Sequence, residues 1–322
     1  MQLKLMILTF LALTLCLNLS TLAEERPVKV FILAGQSNMV GTGIVKADPK
    51  RNGGKGSLEY LANDPKQNGK FRKLMADDGK WKVRDDVWIS FLDRKGGLTA
   101  GFGGNENQIG PELGFGHEVG EAMAEPVLLI KLAWGGKSLA ADFRPPSSGG
   151  QLGPYYREVL DGTKAMLAKM ESEFPALKGR KWELVGFGWH QGWNDRVNQK
   201  FNDEYEKNMA NFIRDIRKDL GVPNLPFVIA ETGMTGPNET HPRALSLMKA
   251  QAAVAEYPEF KENVSFVKTQ QFWREKEDSP SGQGYHWNTN AETYYLIGES
   301  MGQAMLKLID SGKKSSNAAS KM

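Results

Sequence analysis

The chain is poor in what several common chemistries require. Of its 322 residues one is a cysteine, Cys16, and four are histidines. Cys16 lies in an apolar N-terminal stretch, so if that stretch is cleaved off, disulfides, thiol nucleophiles and thiolate metal sites are excluded. The histidines His117, His190, His241 and His286 are widely spread, with no paired spacing of the H-E-x-x-H kind, and no metal or other cofactor is expected. Charge of one sign is also scarce. A formal net charge of +3, with no basic run interleaved with aromatics, gives no argument for nucleic acid or a membrane surface as partner.

The ends of the chain read differently from its body. Residues 1–23 have the pattern of a secretory signal: Lys4 near the start, apolar residues through Leu17, and Thr21-Leu22-Ala23 as a small-residue cleavage site. The apolar core is shorter than the ~20 residues a membrane span needs. The expectation is an exported protein, periplasmic or extracellular and of bacterial type, with no stable membrane association after cleavage. Residues 312–322 are small and polar and are expected to form a frayed, disordered tail.

Between these ends, residues 27–311 read as one domain. Hydrophobic residues at 40% and charged residues at 25% are ordinary for a soluble globular chain. Five apolar, β-branched runs recur: Val28–Ala34, Pro126–Leu132, Leu184–Trp189, Pro226–Glu231 and Val264–Thr269. Helical spacing appears over Pro111–Met123, Tyr155–Met170, Asp203–Leu220 and Arg243–Ala255, and a last helix is expected from residue 290 or 291 to Leu308. Strands alternating with helices predict an α/β fold: a five-stranded parallel sheet with helices on both faces, a three-layer α/β/α sandwich. The irregular stretch 43–109, rich in Gly, Lys and Asp, is too long for a simple loop. Its spaced Trp81, Trp88 and Phe91 predict an ordered insertion, a small hairpin among it, walling one side of a site.

Polar chemistry gathers where the predicted strands end, the edge at which open α/β sheets bind ligands. The first run delivers Gly35-Gln36-Ser37-Asn38, the second Ala133-Trp134-Gly135-Gly136-Lys137-Ser138, and the third His190-Gln191-Gly192-Trp193-Asn194-Asp195. A loop carrying Gln283-Gly284-Tyr285-His286-Trp287-Asn288 precedes the last helix. Taken alone, the first cluster is better explained by a helix cap. Taken together, Gly35-Gln36-Ser37-Asn38, Gly135-Gly136, His190-Gln191-Gly192 and His286 resemble the carbohydrate esterases of the SGNH hydrolase superfamily, which include acetylxylan esterases and sialate O-acetylesterases. The resemblance implies a flavodoxin-like sheet and a serine esterase that removes O-acetyl groups from sialic acid, xylan or another acetylated glycan.

On that resemblance Ser37 is the nucleophile and His286 the general base, with His190 structural; His117 and His241 are expected at the surface. The oxyanion of the intermediate falls to the Ser37 amide, to Gly135 or Gly136, and to the side-chain amide of Gln191 or Asn194, with Asn194 favoured. The family's aspartate three residues before the base is replaced by Gln283. His286 then works without an acid, held by a backbone carbonyl or Gln283, or is reached by Asp278, Asp195 or Glu231, or the chain is a catalytically silent carbohydrate-binding protein. Substrate contacts are expected from Gln36, Asn38, Trp134, Trp193 and Trp287. A sugar carboxylate would call for an arginine: Arg144 first, then Arg157 and Arg243.

Overall fold

The computed structural model describes residues 26–67 and 69–319, with side chains to Gly312. The predicted signal segment and Cys16 lie outside the described residues. In chain order the strands are β1 (Val28–Gly35), β2 (Gly43–Ile44), β3 (Val87–Phe91), β4 (Arg94–Gly97), β5 (Gln108–Ile109), β6 (Val127–Ala133), β7 (Trp182–His190), β8 (Phe227–Ala230) and β9 (Val264–Val267). The helices used below are α1 (Ser37–Val40), α2 (Leu58–Asn63), α3 (Pro111–Ala122), α4 (Pro154–Glu173), α5 (Trp193–Arg196), α6 (Gln199–Leu220), α7 (Pro242–Ala255) and α8 (Ala291–Ala319).

A strand buried on both faces has no use for polar alternation, and β1 shows why its sequence is one apolar run. Val28, Val30, Ile32 and Ala34 enter one core, with Tyr156 and Val159 of α4, Phe212 and Ile216 of α6, and Leu247 of α7. Phe31 and Leu33 enter the other, with Phe115 of α3 and Met301 and Met305 of α8. Helices therefore cover both faces of the sheet.

All five expected strands form, parallel and adjacent in the order β6-β1-β7-β8-β9. The sheet nevertheless has seven strands, not five, in the order β4-β3-β6-β1-β7-β8-β9. The extra two come from the insertion. Its hairpin is present, but β3 pairs parallel to β6, from Val87↔Val127 to Phe91↔Lys131, and β4 closes the edge antiparallel. A five-residue strand in a Gly- and Lys-rich segment carries too short a pattern to announce membership of the main sheet. The rest of the insertion is ordered too: Leu58, Leu61, Phe71 and Leu74 are buried in the core beneath α8. The last helix continues past Leu308 to Ala319, so residues 312–319 of the segment read as a tail have helical backbone. No proline interrupts them, and Lys and Ala favour helix.

This topology gives the sheet one functional edge. Neighbours β6 and β7 lie on either side of β1, so the chain order reverses there, and the carboxyl ends of all three point to one crevice.

Candidate active site

At the end of β1 only glycine fits. A Cβ on Gly35 would lie 2.2 Å from the His190 carbonyl oxygen, because β1 and β7 are close-paired there. The chain turns at once into α1, of four residues, whose first residue is the half-buried Ser37. The Ser37 amide has no hydrogen-bond partner among the described residues. The amides of Gly135 and Gly136, exposed just beyond β6, are equally unpartnered, and a Cβ on Gly135 would stand 3.9 Å from that of Ser37. Ser37, with its own amide free, thus lies close to the free amide of Gly135, and such donors can stabilise a developing oxyanion.

The three strand-end loops are tied together by one buried polar network. Gln36 Oε1 accepts from the Gly192 amide at 3.1 Å, the Asn194 amide at 3.3 Å and Gln191 Nε2 at 3.3 Å, while Gln36 Nε2 donates to Asn194 Oδ1 at 3.2 Å. Gln191 Nε2 also reaches the Lys137 carbonyl and Asp195 Oδ2, at 3.0 and 2.6 Å. Asp195 accepts the Leu139 and Ala140 amides at 2.8 Å each, which fixes the loop after Gly135-Gly136. Burial pushes the Asp195 carboxyl up to about 6, against these hydrogen bonds, which favour the charged form. Gln36, expected at the substrate, is 2% exposed and acts instead as a strut. Gln191 is buried with its donors taken, whereas Asn194 is half-buried and spends Nδ2 on the Gly136 carbonyl at 2.8 Å, leaving its second N–H.

The residue after Ser37 holds the loop that carries His286. Asn38 Nδ2 donates to the Tyr285 carbonyl at 3.1 Å, and the Tyr294 hydroxyl donates to Asn38 Oδ1 at 2.7 Å and to the His286 carbonyl at 3.3 Å. Asn38 is therefore a second strut, 2% exposed, and not a substrate contact. Beyond His286, Trp287, Asn288 and Thr289 have φ of 52°, 53° and 54°, three consecutive non-glycine residues in the left-handed region. Such strain persists where surroundings impose it: Trp287 is fully buried against Trp273, and Asn288 Nδ2 is held by the Arg274 carbonyl at 2.9 Å.

Among the described residues no acid supports the imidazole. Among the described residues the His286 ring has no hydrogen-bond or ion-pair partner, and burial lowers its pKa from the ordinary 6.5, which favours the neutral base. Asp278 pairs with Lys55 at 2.9 Å, Asp195 serves the Leu139–Ala140 amides, and buried Glu231 accepts from the Thr269 and Gln270 amides at 2.8 and 3.2 Å. The exposed Gln283 accepts the His286 amide through its carbonyl at 2.8 Å, and its side chain makes no hydrogen bond among the described residues.

Other expected residues are placed elsewhere. Arg144 spends four of its five N–H donors on the carbonyls of Ala140, Ser148 and Gly149 and on Glu204, bracing a loop. Trp287, being fully buried, cannot stack on a sugar. Trp134 is half-buried against Tyr155 and Phe143, and Trp193, also half-buried, lies 5.9 Å from the ring of Tyr285. Arg157 is exposed on α4, and Arg243 is the second residue of α7. His117 is not at the surface: it is buried beside Arg84, and desolvation lowers its pKa to about 4. His190 is wholly buried and pushed down to about 4, with Nδ1 near the Ala230 carbonyl, a structural placement. Among the described residues no group of three His, Cys, Asp or Glu is disposed to hold a metal ion.

Sequence reasoning missed Tyr294, which bridges Asn38 and the His286 carbonyl, and Lys131, whose ammonium donates to the Val40 carbonyl at the end of α1. Only Lys131, a lone cation inside Val-Leu-Leu-Ile-Lys-Leu-Ala, carried a visible signal. The insertion walls a groove of about 600 Å³ that runs from Lys50–Asn52 to Lys276 and Gln283, three residues from His286.

Comparison with known proteins gives a consistent picture. The model of the family described as SASA, carbohydrate esterase, sialic acid-specific acetylesterase, matches residues 27–307. A probable carbohydrate esterase of Arabidopsis thaliana, At4g34215, is 26% identical over 204 residues, 63% of this chain and 68% of that protein. The solved structure of the Arabidopsis thaliana protein AT4G34215 superposes with a TM-score of 0.56 at 20% identity, covering 87% of this chain and 98% of that one. NanS gives a TM-score of 0.55 at 14% identity, covering 87% and 98%. The carbohydrate acetylesterase XAC1771 of Xanthomonas citri gives 0.53 at 14% identity, covering 88% of this chain and 57% of that one.

Proposed function

Because the chain belongs to the SASA family of carbohydrate esterases, we propose that it removes O-acetyl groups from a glycan through an acyl-enzyme on Ser37, with His286 as general base. The observation that supports this reading is Ser37, its own amide free, set beside the unpartnered Gly135 amide, while Asn38 grips the peptide next to His286.

His286 takes the Ser37 proton as Oγ attacks the acetyl carbonyl, and the oxyanion receives the Ser37 amide, a glycine amide and the spare N–H of Asn194. Each such donor is worth about 3 kcal/mol in the transition state. Collapse expels the sugar alkoxide, which takes the proton back from His286. Water then attacks the acetyl-serine while His286 accepts its proton, and collapse breaks the Oγ–acyl bond, returning that proton to Ser37 and releasing acetate. His286 acts without an acid in this scheme, its neutral form favoured by burial. The product classes are a deacetylated sugar and acetate. The N-terminal pattern adds export, to the periplasm or outside the cell, as part of the proposal.

Acetate release from an aryl acetate tests the scheme. Ser37→Ala is expected to lower kcat by about 10⁴-fold or more. Equal rates in the two proteins overturn it. Gln283 favours one other reading, a silent sugar-binding protein, for which the wild type would bind acetylated sugar and release no acetate.

A further inference from the structure

The proposed base stands without an acid, and its backbone is better held than its ring. Asn38 Nδ2 donates to the Tyr285 carbonyl at 3.1 Å and the Tyr294 hydroxyl to the His286 carbonyl at 3.3 Å. Those bonds fix where the side chain starts and leave its own torsions free, and the second torsion of a histidine is broad. Packing is what remains to hold the imidazole. The Tyr285 ring lies 4.5 Å from it, inclined at 57°.

Tyr285 is 45% exposed, and its hydroxyl makes no hydrogen bond among the described residues, so its ring depends on neighbours in turn. One of them is Trp193, 5.9 Å away at 43°. Trp193 opens α5, and Arg196, three residues on and therefore on the same face, sets its guanidinium carbon 4.3 Å from the centre of the indole. The amides on either side of Trp193, those of Gly192 and Asn194, are both accepted by Gln36 Oε1, at 3.1 and 3.3 Å. Gln36 and Asn38 flank Ser37. The two struts beside the nucleophile thus anchor both ends of the row Trp193–Tyr285 that leads to the base.

We propose that Tyr285, backed by Trp193, is a positioning residue whose aromatic packing orients the His286 imidazole toward Ser37 in place of the acid the chain lacks. This rests on the esterase reading above and deepens it. Packing supplies orientation but not the negative charge that an acid adds, so the two devices are not equivalent.

Two measurements test it. The first is acetate release from a small alkyl acetate, which has no ring to stack on Tyr285. Tyr285→Ala is expected to lower kcat about tenfold with KM within about twofold, because a misdirected base costs the chemical step and not binding. Tyr285→Phe, which keeps the ring, should recover most of that loss, and Trp193→Leu should show part of it. An unchanged kcat in Tyr285→Ala, or a change confined to KM, which would make the ring a substrate platform, overturns the proposal. The second needs no turnover: three-bond couplings of the His286 side chain, read by NMR, report its rotamers. One χ1 rotamer is expected in the wild type and in Tyr285→Phe, and averaging over several in Tyr285→Ala. A single rotamer in Tyr285→Ala, or averaging already in the wild type, refutes the assignment. Averaging in Tyr285→Ala alone supports it even if the wild type releases no acetate, a result that would count against the esterase reading and not against the packing.

Discussion

Position 283 decides how the proposed base is tuned. An aspartate there would hold the imidazole tautomer and stabilise the imidazolium; the glutamine does neither, and burial alone shifts His286, downward from 6.5. A general base works in its neutral form, so kcat/KM should rise with pH through an inflection below 6.5 and then level off. Gln283→Asp adds a negative charge on the same turn. It should move that inflection upward and raise kcat about tenfold, since opposite charge favours the imidazolium. A pH–rate series on both proteins checks this. Asp195, pushed to about 6, titrates in the same window, but its inflection has no reason to move with residue 283. An unchanged profile with unchanged kcat would show that position 283 does not face the ring. Placement was legible at this scale where the surroundings are local, as with Ser37 at the turn after β1 and His190 buried at the end of β7. It was not where a polar side chain can face substrate or scaffold equally well: Gln36 and Asn38 look alike in sequence whether they touch a sugar or brace a loop.

Among elements, α1 is too short to hold itself, and its stability comes from below. Lys131, in the middle of the sheet on β6, is fully buried and donates at 2.7 Å to the carbonyls of Val40 and Phe102 and to Glu112 Oε2. Glu112 in turn accepts the Gly110 amide at 2.8 Å, and the ammonium lies 4.2 Å from the centre of the Phe91 ring. One cation thus joins the end of α1, the insertion, and the start of α3. Lys131→Met strands Glu112 as an unpaired buried charge and should cost about 3–5 kcal/mol. Lys131→Met with Glu112→Leu should recover part of that loss, though the three backbone groups stay unsatisfied. Urea unfolding midpoints of wild type, single and double variants read the difference. A single variant as stable as the wild type would mean that the pair is not holding α1. The strand itself was legible from its apolar run, and the lysine in it was a visible anomaly; its partners are 19, 29 and 91 residues away and left no local trace.

Over the whole molecule, the proposed chemistry requires residue 37 and residue 286 to be brought to one edge, and the insertion is what secures the far one. Alternation of strand and helix sufficed to foresee the parallel sheet and its functional edge, because both follow from local patterns. The insertion's part did not follow, since it is made by loops meeting loops. Asn52 Nδ2 donates to the carbonyls of Lys276 and Ser279 at 2.6 and 2.7 Å, Lys55 pairs with Asp278, and the Gly56 carbonyl accepts the Ala291 amide at 2.7 Å. Together these clamp residues 276–291, the segment in which His286 and its left-handed successors sit. Asn52 has φ of 50°, a conformation asparagine tolerates better than most residues. Asn52→Ala removes both hydrogen bonds, each worth about 1 kcal/mol, and adds left-handed strain of about 1 kcal/mol. Asn52→Gly removes the bonds without the strain. If the clamp positions His286, both variants should speed amide hydrogen exchange over residues 276–290 and lower kcat/KM several-fold, with the glycine variant no better than the alanine one. Recovery in the glycine variant would assign the effect to backbone strain at residue 52. Unchanged exchange and turnover in both would mean that the 276–291 segment holds its own shape, and that the insertion contributes a wall but no support.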